Sequence, residues 1–205
     1  TFITMFVAAF LTGSLATRLK RQAAQAAQAA YRTKILFDTN QLLERANEKE
    51  QIITVTATQL IKLLNKDMVI YLSNKDSLAA PEFFTAEGDA KSGEYLSEDE
   101  KAVALWVLKN NKHAGATTDT FSDAKCLYLS IRTSNEIYGV IGIVIDEKPL
   151  DSFEKSILLS ILGECALALE NDRNAREKEA AALLAQKEQL RANLLRSISH
   201  DLRTP

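Results

Sequence analysis

Between Asp151 and Leu202 the chain has no proline and a single glycine, Gly163. Nothing interrupts a helix over that stretch, and a helix so long cannot bury its apolar side against one small domain. Leu183, Leu190, Leu194, Ile198 and Leu202 follow one another at steps of seven, four, four and four, which sets all five on one stripe. Glu177, Lys178, Lys187, Glu188 and Arg191 surround the stripe. A narrow apolar seam flanked by charge suits a coiled coil or a four-helix bundle. The spacing therefore predicts that residues 174–205 form a homodimer; packing against a further domain would bury the same stripe.

The opposite end has a different character. Thr1 to Thr17 carry no charge, and Arg18, Lys20 and Arg21 follow at once. A spanning helix needs about 20 apolar residues, so residues 1–17 are expected to be the end of a transmembrane helix whose first turns precede Thr1. A signal peptide carries its positive charges before its apolar run; here they come after it. Cations at the exit put residues 18–205 in the cytoplasm, beneath a bacterial inner or plasma membrane. Residues 18–32, rich in alanine and glutamine without a breaker, read as a linker helix. Ile35, Leu36, Leu42, Leu43 and Ala46 carry the helical period on.

The middle of the chain changes period. Asn47 with Glu50 forms a candidate capping box, opening a second helix over Gln51–Leu64. Asp67–Ser73 is short, apolar and rich in β-formers, hence a strand. Asn74–Ser97 reads as loops, with a further strand near Phe83–Phe84. Ser97–Glu100 is an acidic helix start, with Ala102, Leu105, Trp106 and Lys109 expected on one face and a stop near Asn110–Asn111. Cys126–Ile131 and Ile137–Ile145 form a hairpin about Thr133–Glu136. Gly139 and Gly142 in its second strand mark a bulge or a close backbone approach. The expectation is an α+β domain over residues 33–173, an antiparallel sheet packed by helices.

Charge excludes one class of partner. The formal net charge is −2, with Lys and Arg dispersed among Asp and Glu, so no nucleic-acid footprint is present. Cys126 and Cys165 stand apart, without metal-ligand spacing, and read as buried free thiols; no metal site is expected.

The chemistry sits at the end of the long helix, in Ser197-Ile198-Ser199-His200-Asp201-Leu202-Arg203-Thr204-Pro205. With Ile198 and Leu202 on the seam, His200 lies off it, beside a carboxylate and one helical turn before a hydroxyl. A neutral imidazole nitrogen is a good nucleophile for phosphorus near pH 7. An adjacent carboxylate can fix its tautomer and take up the released proton. Pro205 would kink or end the helix just past the site.

HDLRTP, at the end of a long amphipathic helix, resembles the H-box of HisKA-type histidine kinases. The resemblance implies that His200 accepts the γ-phosphoryl group of ATP, that Asp201 assists the transfer, and that Thr204 positions water when a response regulator is dephosphorylated. Upstream, Trp106–Asn110, Ala114-Gly115, Thr117–Thr120, Ala124-Lys125 and Leu127–Leu129 are similar to the GAF-like domain of KdpD-type sensor kinases, which control a high-affinity potassium-uptake operon. Phe121 departs from the leucine that this pattern expects. The order of membrane helix, GAF domain and HisKA start also fits. The chain has no Asn-box and no Gly-rich lid, so ATP is expected to bind on a domain outside these residues. Taken together, the reading is a membrane-bound sensor histidine kinase segment whose GAF domain relays a signal to His200 and then to a cognate response regulator. The polar loops Asn74–Gly93 and Lys112–Thr120 would line any GAF ligand pocket, with His113 solvated. The alternative is a membrane-anchored GAF module for ligand binding or dimerisation that feeds another output.

Overall fold

The computed structural model describes residues 2–46, 48–74, 77–86, 92–145 and 149–201, and side-chain surroundings in the same ranges except 2–17, 92 and 197–201. The elements in order are α1 (Phe2–Leu43), α2 (Lys49–Leu64), β1 (Met68–Asn74), β2 (Ser77–Leu78), β3 (Glu82–Phe84), α3 (Ser92–Tyr95), α4 (Glu98–Asn110), β4 (Ala114–Gly115), β5 (Cys126–Arg132), β6 (Ile137–Val144) and α5 (Ser152–Asp201). The fold is a curled antiparallel sheet of order β2-β1-β6-β5-β4, with β3 also paired to β1.

Strand alternation divides the core in two. Met68 and Ile70 of β1, Leu127 and Ile131 of β5, and Ile141 and Ile143 of β6 face a layer formed by α1, α2 and α5. Val69, Tyr71, Cys126, Tyr128, Val140 and Val144 point the other way, against α4. The sheet is therefore buried on both faces, which is why its strands read as continuous apolar runs. Gly142 is required by packing: a Cβ there would stand 2.4 Å from the Tyr128 ring. At Gly139 a Cβ would meet the Tyr71 carbonyl oxygen at 2.5 Å, so both glycines mark close approaches. A bulge accompanies them. Ile131 pairs with Gly139 and Arg132 with Ile137, leaving Tyr138 without a partner on β5.

Helix ends follow local chemistry. Ser97 caps α4, its hydroxyl accepting from the Glu100 N–H. Asn111 and Asn65 close α4 and α2 in the left-handed conformation. Asp151 and Glu154 cap α5 reciprocally: each carboxylate accepts the other's backbone N–H, at 2.7 and 2.8 Å.

Two expectations need correction. The N-cap of α2 is Glu48, with no side-chain cap hydrogen bond; Asn47 lies outside the described residues. The buried face of α4 is Glu100, Val103, Ala104, Val107 and Leu108, whereas Ala102 and Lys109 are exposed and Leu105 and Trp106 half-buried. The stripe turns inward at Glu100 because that carboxylate has partners inside: the Tyr128 hydroxyl donates to Oε2 at 2.8 Å and the Lys125 N–H to Oε1 at 2.7 Å. A buried acid so bonded avoids the penalty that would otherwise keep it in water.

Helix α1 is continuous through residues 2–17. Among the described residues no helix is long and apolar enough to cross a membrane.

Candidate functional site

The long helix has two regimes. Ile157, Leu158, Ile161, Leu162, Cys165, Ala166 and Leu169 are buried against α2, α1 and the sheet. Beyond Arg173, every described side chain of α5 is exposed. His200 and Asp201 occupy its last described turn, on a backbone that is helical without interruption from Ser152. At 1.5 Å per residue, His200 stands about 45 Å beyond Leu169. The side chains of His200 and Asp201, and Thr204 and Pro205 altogether, lie outside the described residues. Among the described residues, α5 is the element that connects the domain core to His200.

Leu183, Leu190 and Leu194 are 67%, 60% and 56% exposed, and Leu184 and Leu195 beside them similarly so. Five leucines in water on one helix carry a cost of roughly 1.5–3 kcal/mol each relative to full burial. The stripe is a face without its partner.

Helix α1 leaves the domain at the other end. Arg32 donates to the Ser160 hydroxyl at 2.8 Å, and residues 40–46 line a cleft with residues 164–175. Residue numbers rise together, so α1 and α5 run parallel. The exposed first part of α1 and the exposed last part of α5 therefore project in opposite directions, with the domain between them.

At the exit of α5, Arg173 is the junction. Its guanidinium pairs with Glu136 on the β5–β6 hairpin at 2.5 Å and with Glu177 one turn further along α5 at 3.5 Å. It also lies 5.3 Å above the Tyr138 ring, the residue the bulge turns out of the strand alternation. Nothing in the sequence pattern singles Arg173 out; the pairing depends on the bulge.

The face beneath α4 has a buried core, and a cleft of about 670 Å³ opens beside it between the start of α4 and Phe121–Lys125. Tyr71 and Tyr128 are wholly buried in that core, and burial raises both phenols, Tyr71 to about 12 and Tyr128 further still. Among the described residues, the two loops expected to line a pocket contribute to different clefts. Asn74 belongs to a cavity under the hairpin, and Lys112, His113 and Thr118–Thr120 to another beside Trp106 and Leu159. His113 is exposed. Cys126 and Cys165 are buried and are not joined in a disulfide. Among the described residues no cluster of three His, Cys, Asp or Glu could hold a metal ion.

Comparison with known proteins places this architecture. No protein-family model matches the chain. It is 32% identical over 206 residues to the sensor protein KdpD of Clostridium acetobutylicum, covering 100% of this chain and 23% of that protein. It is 23% identical over 209 residues to the sensor protein KdpD of Escherichia coli strain K12, covering 100% of this chain and 22% of that one. The chain thus spans less than a quarter of the length of these curated relatives. Among solved structures, the GAF domain of the potassium sensor histidine kinase KdpD from Escherichia coli superposes with a TM-score of 0.57 at 18% identity, covering 74% of this chain and 99% of that one. The GAF domain of an Acinetobacter phosphoenolpyruvate-protein phosphotransferase gives 0.50 at 11% identity, covering 72% and 98%. The fold is GAF-like.

Proposed function

We propose, for a chain that matches a segment of KdpD-type sensor proteins along its whole length, that it is the relay and phosphoacceptor segment of a two-component sensor histidine kinase. The observation that carries this reading is α5, one unbroken helix from the GAF-like core to His200 and Asp201. In the proposed step a neutral His200 ring nitrogen attacks the γ-phosphorus of ATP, which is held by a domain outside these residues. An N–P bond forms as the bond to the ADP oxygen breaks. The proton displaced from the ring passes to Asp201, whose carboxylate fixes the tautomer beforehand. A response regulator then takes the phosphoryl group, and Thr204, one turn past His200, positions water in the reverse, dephosphorylating mode.

The exposed leucine stripe supports a homodimer through residues 174–205, since pairing the stripes buries both at once. Two packings of that bundle, biased by the domain, would present His200 differently; the bias equals the difference in their interaction energies. Residues 1–17 would be the end of a membrane helix, with residues 18–205 on the cytoplasmic side.

The test is trans-phosphorylation. The chain is mixed with the ATP-binding domain of a KdpD-type kinase and γ-labelled ATP, beside a His200→Gln control. Acid-labile, alkali-stable label that disappears in the control is the expected result. Absence of label on a folded dimer would favour a GAF module serving another output.

A further inference from the structure

The end of β1, the C-terminal end of α4 and the β5–β6 hairpin line an open cleft of about 700 Å³, with Arg173 in its wall. Among the described residues four buried side-chain atoms have no hydrogen-bond partner: Tyr71 Oη, Thr133 Oγ1, Tyr138 Oη and Arg173 Nε. The last three belong to residues that line this one cleft. The Tyr138 hydroxyl feels the Glu170 carboxylate without a hydrogen bond of good geometry, and Arg173 Nε is ion-paired with Glu177 at 3.5 Å without forming a hydrogen bond. Buried polar groups are nearly always paired, because an orphan forfeits its hydration. Thr133 Oγ1 is left without a hydrogen bond at this void, and the Tyr138 hydroxyl and Arg173 Nε meet only carboxylates short of one, which leaves donors available to an occupant.

The charge of the lining says what kind. Lys109, Arg132 and Arg173 face one carboxylate, Glu136, and the hydroxyl of Thr133 adds a neutral donor. We propose that this cleft binds a small oxyanion-bearing ligand, a phosphate or a carboxylate compound, and that Arg173 reports its occupancy to α5. Arginine is suited to the task, since its planar fork meets an oxyanion with two parallel hydrogen bonds. The guanidinium that would grip the ligand is the one that now ties α5 to the hairpin through Glu136. An arriving oxyanion competes with Glu136 for it and loosens or resets that tie where the helix leaves the domain. Binding stands on the cleft alone; transmission to His200 rests on the kinase reading above.

The experiment uses the full chain, titrated separately with inorganic phosphate and with succinate, and follows the ¹⁵Nε resonance of Arg173. A saturable shift with one anion is expected, and the anion that produces it assigns the ligand class. Affinity should fall about tenfold or more in Arg132→Gln and in Thr133→Val. Arg132 is exposed, so its replacement leaves the core intact. No saturable shift with either anion, or a shift undiminished in both variants, overturns the proposal. Because the readout needs no phosphohistidine, failure here leaves the trans-phosphorylation result standing, and the reverse.

Discussion

Leu158 and Leu190 share α5, yet one is 1% and the other 60% exposed. The first half of this helix is part of a domain core, fixed by α2, α1 and the sheet. The second half has the same helical backbone, and its side chains are exposed among the described residues. Only the first half is needed for the domain to fold. The second half carries an exposed apolar stripe, and in the proposed reading the His200 end depends on burial of that stripe. Stability and function are thus separated along one continuous element, with the Arg173 junction between them.

The sharpest way to break this comparison is a pair of truncations. Leu158→Ala should destabilise the isolated domain by about 2–5 kcal/mol, the range for a buried leucine. Leu190→Ala should change the unfolding of dilute, monomeric chain by less than about 0.5 kcal/mol, as exposed substitutions do. Its effect should appear instead as a raised dimer dissociation constant. Urea unfolding at low concentration and sedimentation equilibrium check the two arms; equal costs in monomer would contradict the division.

On the opposite face of the sheet, Tyr128→Phe removes one of the two partners of the buried Glu100 carboxylate. A cost of about 1–3 kcal/mol is expected, read as a lower urea midpoint at unchanged slope.

Cys165 in the first half of α5 gives the comparison a pH dependence. Burial raises its thiol from 9.0 to about 12, against a small opposing effect of the Thr56 hydrogen bond. Above pH 9 the unfolded chain holds fewer protons than the folded one, so stability falls as pH rises. The slope reaches ~1.4 kcal/mol per unit until the folded thiol itself ionises. Cys165→Ala should flatten this part of the alkaline decline.

The smallest effect belongs to the junction. Glu136→Gln should cost less than about 1 kcal/mol, since the pair with Arg173 is half-exposed. Hydrogen exchange at residues 170–177 should nonetheless rise in that variant.

What could be read from the sequence was what local chemistry dictates. The Ser97 cap, the Asn111 stop, the hairpin and the unbroken α5 all follow from neighbouring residues, and the structure places them there. The hidden parts depend on distant partners. Glu100 reads only as part of an acidic helix start, because Tyr128 and Lys125, its partners, lie outside α4. That reading moved the apparent face of α4 to Ala102, Leu105, Trp106 and Lys109. The strands β2 and β4 are two residues each, too short for any period to register. The Asp151–Glu154 capping box was present in the sequence as an acid three residues before a glutamate, a signal that the length of the helix overshadowed. The Tyr138 bulge, and with it the Arg173 junction, had only the hint of Gly139 beside it. At the His200 end the reading rests on residue identities alone, and the trans-phosphorylation experiment is what tests it.

The measurement that tests the division of α5 most directly is amide hydrogen exchange as a function of chain concentration. Residues 152–170 should be protected equally at all concentrations, because the domain core holds them. Residues 174–201 should exchange rapidly in dilute chain and gain protection as it associates. Equal protection of both halves in dilute monomer would contradict the account, as would an associated chain whose second half still exchanges freely.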